Sequence, residues 1–288
     1  MSEDRENKNS VFTSGVPAGH DPRIPSMSQA EVVKAEFGLD IPTELVPLPS
    51  NGKIYDTKSA LYNRETVEIR PMTAREEDIL TSRALLKKGT VLTELIKSCL
   101  VDKAINPLDL VAGDRNALMV AIRITGYGAD YSAEVECASC EAKTNNTFNL
   151  SELPIKRLEI PPAVEGQNVF EFLLPYTKKK VHFKFTTGRD EEELSTTQDK
   201  QKKLGLKSDT AVTMALQQAI VSIDGVTDRS KITNFIRNMP ARDSLALRNY
   251  IKDNEPGIIM KQEAVCTECG HSEEVNMPLG INFLWPSS

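Results

Sequence analysis

Glu134-Val-Glu-Cys-Ala-Ser-Cys140 and Glu263-Ala-Val-Cys-Thr-Glu-Cys269 are two segments of the same kind, in which a run typical of a strand ends in a pair of cysteines. Each is followed by polar turn residues and a return run, Thr147-Phe-Asn-Leu150 in the first case and Val275-Asn-Met277 in the second. The alternation of side chains predicts a hairpin in both places, with two thiols at its tip. A gap of two residues lets both sulfurs of a pair bind the same metal ion.

The two cysteine pairs together predict one structural zinc ion per chain, bound by Cys137, Cys140, Cys266 and Cys269. Two other interpretations stay open at this stage: free thiols or opportunistic disulfides, and a redox pair or iron–sulfur cluster. Redox chemistry is disfavoured because neither pair lies between a strand and a helix N-terminus, where a thiolate would be activated. His271 is an alternative ligand, but four cysteines already complete a tetrahedral zinc site, and such a closed site stabilises a fold without catalysing a reaction.

The cysteine pairs belong to a longer internal repeat. A constant offset aligns residues 47–80 with residues 161–194, and residues of the same type agree in register. The matched pairs are Pro47 and Pro161, Gly52 and Gly166, Val67 and Val181, Thr73 and Thr187, Arg75 and Arg189, Glu77 and Glu191, and Leu80 and Leu194. After slips near turn residues the alignment continues through Leu118 and Leu245 to the cysteines. The repeat predicts two related lobes whose equivalent hairpins meet at a shared pseudo-twofold axis.

The expected fold class is therefore α+β with two tandem-duplicated lobes, each a β-hairpin, about three helices and a cysteine hairpin that binds zinc. We expect the first lobe to span 41–155, and the second to span 156–288 with an aromatic C-terminal tail. A strand pair should lie between the turn at 47–52 and Pro71. Residues 1–40 are rich in Ser, Gly, Pro and charge, which predicts an N-terminal arm that is disordered alone or bound to a partner.

Helix signals are clearest after residue 72. Thr73-Ala-Arg-Glu76 has the spacing of a capping box, and Gly89 would end that helix. The next helix, from Leu92, repeats apolar residues at helical spacing, and its Cys99 corresponds to Ala219 in the second copy. Cys99 is therefore expected to be a small thiol in the core rather than a nucleophile. The second copy carries an extra helix around residues 231–238.

Composition and missing motifs narrow the classes of function. The net charge of -6 and the absence of an apolar run of 18 residues give no indication of nucleic acid or membrane binding. The sequence has no phosphate-binding loop, zinc-protease helix or nucleophile elbow, and its three histidines, His20, His182 and His271, are scattered. We therefore expect no enzyme and no small-molecule substrate, and we expect a protein made in a cytoplasm.

Four segments carry a resemblance to a known family. They are Val46-Pro-Leu-Pro-Ser-Asn-Gly-Lys-Ile-Tyr55, Met72-Thr-Ala-Arg-Glu-Glu-Asp-Ile-Leu80, Lys88-Gly-Thr90 and Phe283-Leu-Trp-Pro286. Together they resemble the T-even-type bacteriophage baseplate hub protein family of contractile tails, whose members include hub subunits and hub assembly factors. The resemblance implies a virion or tail-assembly component in the tail baseplate, present in the host cytoplasm during assembly. Its partners would be other baseplate, hub or tail proteins, and no catalytic residues carry over.

Two questions remain open from the sequence. Paired cysteine hairpins also occur in zinc ribbons that bind nucleic acid, although the chain is acidic and Lys143 is the one basic residue close to the first pair. The single tryptophan, Trp285, lies in the C-terminal tail, where it either packs in the core or anchors a neighbouring protein.

Overall fold

The structure is a computed structural model, and it describes Gly38 and residues 41–203, 211–277 and 279–285. The predicted N-terminal arm, residues 1–40, lies outside the described residues apart from Gly38. The described residues from Pro42 onward belong to one compact unit.

Short antiparallel strands form five small sheets in the described part of the chain. The strands are Glu44–Pro47 (β1), Thr66–Ile69 (β2), Asp130–Glu136 (β3), Lys143–Asn149 (β4), Ile155–Lys156 (β5), Phe170–Leu173 (β6), Lys180–Phe183 (β7), Ile220–Ile223 (β8), Gly257–Ile258 (β9), Lys261–Val265 (β10) and Ser272–Asn276 (β11). The pairs β1–β2, β3–β4, β5–β9 and β10–β11 are two-stranded sheets, and β6–β7–β8 is a three-stranded sheet.

Eight helices accompany these sheets in the described ranges, so the expected mixed α+β class is confirmed. The helices are Ala74–Thr81 (α1), Arg83–Lys88 (α2), Val91–Cys99 (α3), Ala112–Tyr127 (α4), Gly188–Lys203 (α5), Ala211–Ala219 (α6), Arg229–Arg237 (α7) and Ala241–Asn254 (α8). Helix α7 lies where the sequence predicted a helix around residues 231–238. None of these helices has the length and apolar character needed to cross a bilayer, among the residues that are described.

Two local predictions are wrong in detail. The strand paired with β2 is β1, which precedes the turn at 47–52 instead of following it. The helix predicted from Thr73 to Gly89 is broken at Ser82, whose ψ of 106° is extended. The N–H of Ser82 donates to the carbonyl of Ile79, three residues back, at 3.2 Å and closes α1, and Ser82 is also the N-cap residue of α2. Gly89 ends α2 in the left-handed conformation with φ of 70°.

The capping box of α1 is built around a buried carboxylate. Glu76, fully buried, accepts the backbone N–H of Thr73 at 2.9 Å, the guanidinium of Arg70 at 2.7 Å and the hydroxyl of Ser98 at 2.5 Å. Burial alone would raise the pKa of Glu76, but the hydrogen bonds from Arg70, Ser98 and Thr73 lower it well below its usual value. The carboxylate therefore ties the start of α1 to the end of β2 and to α3.

Replacement of Glu76 by Gln should cost about 2–3 kcal/mol of unfolding free energy at pH 7, somewhat less than for a fully buried ion pair because Arg70 is partly exposed. The depressed pKa contributes stability above the unfolded-state pKa of about 4.3, and that contribution is lost as pH falls toward the folded-state pKa. Urea unfolding between pH 3 and pH 7, at steps of about one unit, should show the two proteins converging below about pH 4. Asp78→Asn, an exposed change in the same helix, is the control; a difference that grows at low pH would contradict this account.

One hydrophobic core contains residues from both halves of the sequence. Strand β5 pairs with β9, and an isolated bridge joins Val111 to Thr187. Gly113, in the first turn of α4, faces the backbone of Pro256 so closely that a Cβ there would lie 1.8 Å from the carbonyl oxygen. Cys99 is fully buried in this core, and burial raises its pKa to about 12. It is a thiol packed in the core, as the sequence predicted.

The C-terminal tail packs partly on the first half of the chain. Phe283 and Leu284 are buried, and the ring of Phe283 lies 5.1 Å from the ring of Tyr131. Trp285 keeps 43% of its surface exposed. Core packing therefore involves the two residues before the tryptophan, and an anchoring role for Trp285 stays a prediction.

Candidate metal centre

Two cysteine hairpins, β3–β4 and β10–β11, form this site. Their registers pair Glu136 with Lys143 and Val265 with Ser272, immediately before and after each tip. In β3 the apolar residues Tyr131, Ala133 and Val135 alternate with polar ones and pack against the core, while the residues at the tip do not continue that alternation. The hairpins therefore present their cysteines at two tips that face each other.

The two tips share the same backbone hydrogen bonds. In the first, Cys137 N–H donates to Ala142 at 2.9 Å and Glu141 N–H donates to Cys137 at 2.9 Å. In the second, Cys266 N–H donates to His271 at 2.8 Å and Gly270 N–H donates to Cys266 at 2.9 Å. The residue after the second cysteine has a positive φ in both tips, 60° at Glu141 and 73° at Gly270. Each tip is thus the same tight turn around a pair of sulfurs.

The four sulfur atoms lie within 4.8 Å of one another. The Sγ atoms of Cys137 and Cys269 are 3.7 Å apart, and those of Cys140 and Cys266 are 3.6 Å apart. A tetrahedral zinc ion with Zn–S bonds of about 2.3 Å requires sulfurs separated by about 3.8 Å. Both contacts join one hairpin to the other, so the four cysteines could hold a single metal ion.

Backbone N–H groups surround the sulfurs and favour their ionised form. Hydrogen bonds from the backbone of Cys269 and Glu268 lower the pKa of Cys266 to about 7. At Cys140 the backbone of Ala142 acts in the same direction, but the neighbouring sulfurs of Cys269 and Cys266 raise the pKa to about 12. Four converging thiols cannot all ionise together without a cation between them, which is the electrostatic environment that a divalent metal neutralises.

Two hydrogen bonds join the hairpins beside the sulfurs, and the sequence analysis did not identify them. Ala138 N–H donates to Glu273 Oε1 at 3.0 Å, and Val265 N–H donates to Asn146 Oδ1 at 3.1 Å. The available signal was weak: Asn146 lies inside a strand, where asparagine is disfavoured unless its side chain has a specific partner. These contacts join each tip to the opposite hairpin directly.

The other residues considered from the sequence lie outside this cluster. His271 contributes its backbone carbonyl to the second tip, and its exposed side chain is not among the residues grouped around the sulfurs. His182 lies in β7, where its Nδ1 is 2.9 Å from the hydroxyl of Ser222. Neither histidine therefore joins the four sulfurs in the described structure.

Gly270→Ala should cost about 1 kcal/mol of unfolding free energy, because an L-residue with a positive φ is strained. No atom lies within 4 Å of the Cβ that the substitution would add, so the cost comes from the backbone alone. Gly280→Ala is the control, since its added Cβ also meets open space and its φ of -160° suits any residue. Thermal unfolding of both variants would test this, and equal losses at the two positions would contradict the assigned turn.

Comparison with known proteins gives one match. The family model described as T4 bacteriophage base plate protein matches residues 42–284, which is most of the chain and includes both cysteine hairpins. No curated protein and no solved structure matches the chain.

Proposed function

The chain belongs to the T4 bacteriophage base plate protein family, and from that membership we propose that it is a non-enzymatic structural or assembly component of the hub region of a contractile-tail baseplate. The family supports a structural role in the baseplate of the virion, with other tail or baseplate proteins as partners. The hub position and presence in the host cytoplasm during assembly are parts of the proposal that rest on the resemblance of the four sequence segments.

One zinc ion bound by Cys137, Cys140, Cys266 and Cys269 is the second part of the proposal. The observation that carries it is the convergence of four sulfurs from two hairpins that are far apart in sequence. Four thiolates leave no open coordination position, so the ion would stabilise the fold and bind no substrate. The zinc would add to the core and to the β5–β9 pairing as a link between the halves.

A tandem duplication is the third part, and repeated polar contacts support it. In the first half Glu76 accepts hydrogen bonds from Thr73 and Arg70, and in the second half Asp190 accepts them from Thr187 and Lys184. In each half the cation and the hydroxyl precede the helix, and the carboxylate lies in its first turn. A carboxylate, a hydroxyl and a cation thus recur in one arrangement at the start of equivalent helices.

A second repeated contact involves the start of α4 and α8. Asp114, the third residue of α4, accepts hydrogen bonds from Ser50 N–H at 2.9 Å and Tyr55 OH at 2.5 Å. Asp243, the third residue of α8, accepts the N–H groups of Tyr176 at 2.7 Å and Thr177 at 3.0 Å. Both carboxylates attach the helix N-terminus to the preceding turn region of their own half.

Burial refines the alignment of these two helices. Leu118 is fully buried, as is Leu247, whereas Leu245 keeps 51% of its surface exposed. This burial favours a correspondence between Leu118 and Leu247, two residues away from the sequence alignment with Leu245. With this correspondence the helices and the cysteine pairs share one offset. We propose lobe boundaries at 41–155 and 156–288 on this basis.

The sulfur contacts fit a pseudo-twofold axis. If Cys137 exchanges with Cys266 and Cys140 with Cys269, the 3.7 Å contact becomes the 3.6 Å contact. An axis through the metal would therefore relate the two lobes.

Electron microscopy of assembled tails would test the baseplate role. Density that fits residues 42–284 should lie in the hub region of the baseplate, in contact with neighbouring tail proteins. Its presence elsewhere in the baseplate would contradict the hub assignment. Tails that lack the chain, together with normal assembly when its gene is disrupted, would contradict the structural role.

A further inference from the structure

An apolar cleft of about 230 Å³ opens between α7 and the turn after β8. Its walls are formed by Ile223, Val226, Ile232 and Phe235, and Val226 keeps 41% of its surface exposed. Helix α7 lies between α6 and α8, whereas the first half has no helix between α3 and α4. In the proposed duplication, on which this point rests, α7 is an insertion in the second copy that forms one wall of the cleft.

The rim of this cleft carries a surplus of positive charge. Lys179 pairs with Asp224 at 2.7 Å, and the same carboxylate accepts the backbone N–H of Lys180 at 2.8 Å. Lys231, on the other side of the cleft, forms no side-chain ion pair among the described residues, and its backbone N–H donates to the carboxylate of Asp228 at 3.0 Å. The cleft therefore fits an apolar side chain that is accompanied by a carboxylate.

The outer face of β10 carries an exposed apolar side chain and a carboxylate close to each other. Val265 keeps 50% of its surface exposed. Glu263, two residues earlier in the same strand, is exposed on the same face because side chains alternate along a strand. The partner that Glu263 has in the described structure is the hydroxyl of Ser272, so its charge is not compensated by a cation there.

We propose that two copies of this chain associate head to tail, with Val265 of one copy in the α7 cleft of the next and Glu263 beside Lys231. The two surfaces are complementary in charge and in apolar character. Both are exposed to solvent in a single copy of the chain. Such a contact uses different surfaces on the two copies, so it generates a ring or a filament rather than a closed twofold dimer. A single small cleft makes a weak contact, which repetition in an assembly strengthens.

Charge reversal on the full chain tests this contact. Sedimentation velocity over a range of protein concentrations should show self-association of the unchanged protein. Lys231→Glu and Glu263→Lys should each weaken the association more than about 10-fold, because each places like charges together. An equimolar mixture of the two variants should recover the association, since residue 231 of one variant then meets a residue 263 of opposite charge on the other. Lys97→Glu, an exposed reversal in α3, should leave association unchanged.

A chain that remains monomeric at every concentration overturns the proposal, and so does a Lys231→Glu variant that associates like the unchanged protein. Failure of the mixture to recover, with both variants folded by circular dichroism, also overturns it. None of these outcomes bears on the zinc content or on the presence of the chain in the baseplate.

Discussion

Replacement of Cys137 by Ser is expected to lower the affinity for zinc more than about 100-fold, and replacement of Cys266 is expected to lower it by a similar factor. A change in the outer shell of a metal site costs about 10- to 100-fold, and the loss of a direct thiolate ligand should exceed that. The two effects should match if the residues are equivalent ligands in the proposed shared site, and the exposed fractions of their surfaces are similar at 3% and 5%. Competition with a chromophoric chelator measures both affinities.

Cys99→Ala is the matched control. Cys99 is fully buried and does not belong to the cluster, so its replacement should leave zinc affinity unchanged. Hydrogen exchange adds a second measurement: loss of the metal from either variant should expose the amides of both hairpins, β3–β4 and β10–β11. The sheet β6–β7–β8 should stay protected, since its strands are held by the core. Loss of protection in one hairpin alone would indicate separate sites.

Gly113→Ala is expected to reduce the free energy of unfolding by about 3 kcal/mol or more, at the upper end of overpacking effects. The new Cβ would lie 1.8 Å from the carbonyl oxygen of Pro256 and 2.9 Å from the Cα of Gly257. Both are backbone atoms at the start of β9, so α4 or the β5–β9 pairing must move. Helix propensity alone favours alanine over glycine by about 1 kcal/mol and would increase the free energy of unfolding. The close contact is expected to outweigh this gain and to destabilise the protein.

Gly126→Ala, in the same helix, provides the control. Its Cβ would approach the Cε atom of Met72 at 2.8 Å, and that atom is the end of a flexible side chain that can turn away. The variant should therefore be close to neutral in urea unfolding. A Gly113→Ala protein as stable as the Gly126→Ala protein would show that the two halves do not pack as closely as described.

Local signals explain which parts of the fold the sequence could predict. The hydroxyl of Thr73 and the carboxylate of Glu76 are three residues apart, so the start of α1 follows from nearby residues alone. Ser82 breaks the helix through its extended ψ of 106°, although serine also tolerates a helical conformation, so the residue type alone does not predict the break. The pairing of β1 with β2 spans the turn at 47–52 and depends on packing in the core, which no short window of sequence contains.

The four cysteines of the candidate site could be predicted because each pair is recognised from its spacing alone. The spacing of the cysteines identifies the four sulfurs, but it does not specify what else holds the hairpins together. Asn146 and Glu273 reach across to the backbone of the opposite hairpin, and such pairs become neighbours only after both halves have folded. The cleft beside Phe235 has no sequence motif either, because it depends on where α7 packs.

Zinc content per chain is the most direct test of one shared site. Elemental analysis should be performed on the purified full chain, alongside a Cys137→Ser, Cys266→Ser double variant that removes one ligand from each pair. We expect one zinc ion per chain in the unchanged protein and none retained by the double variant. Two zinc ions per chain, or none in the unchanged protein, would contradict a single site that joins the two cysteine hairpins.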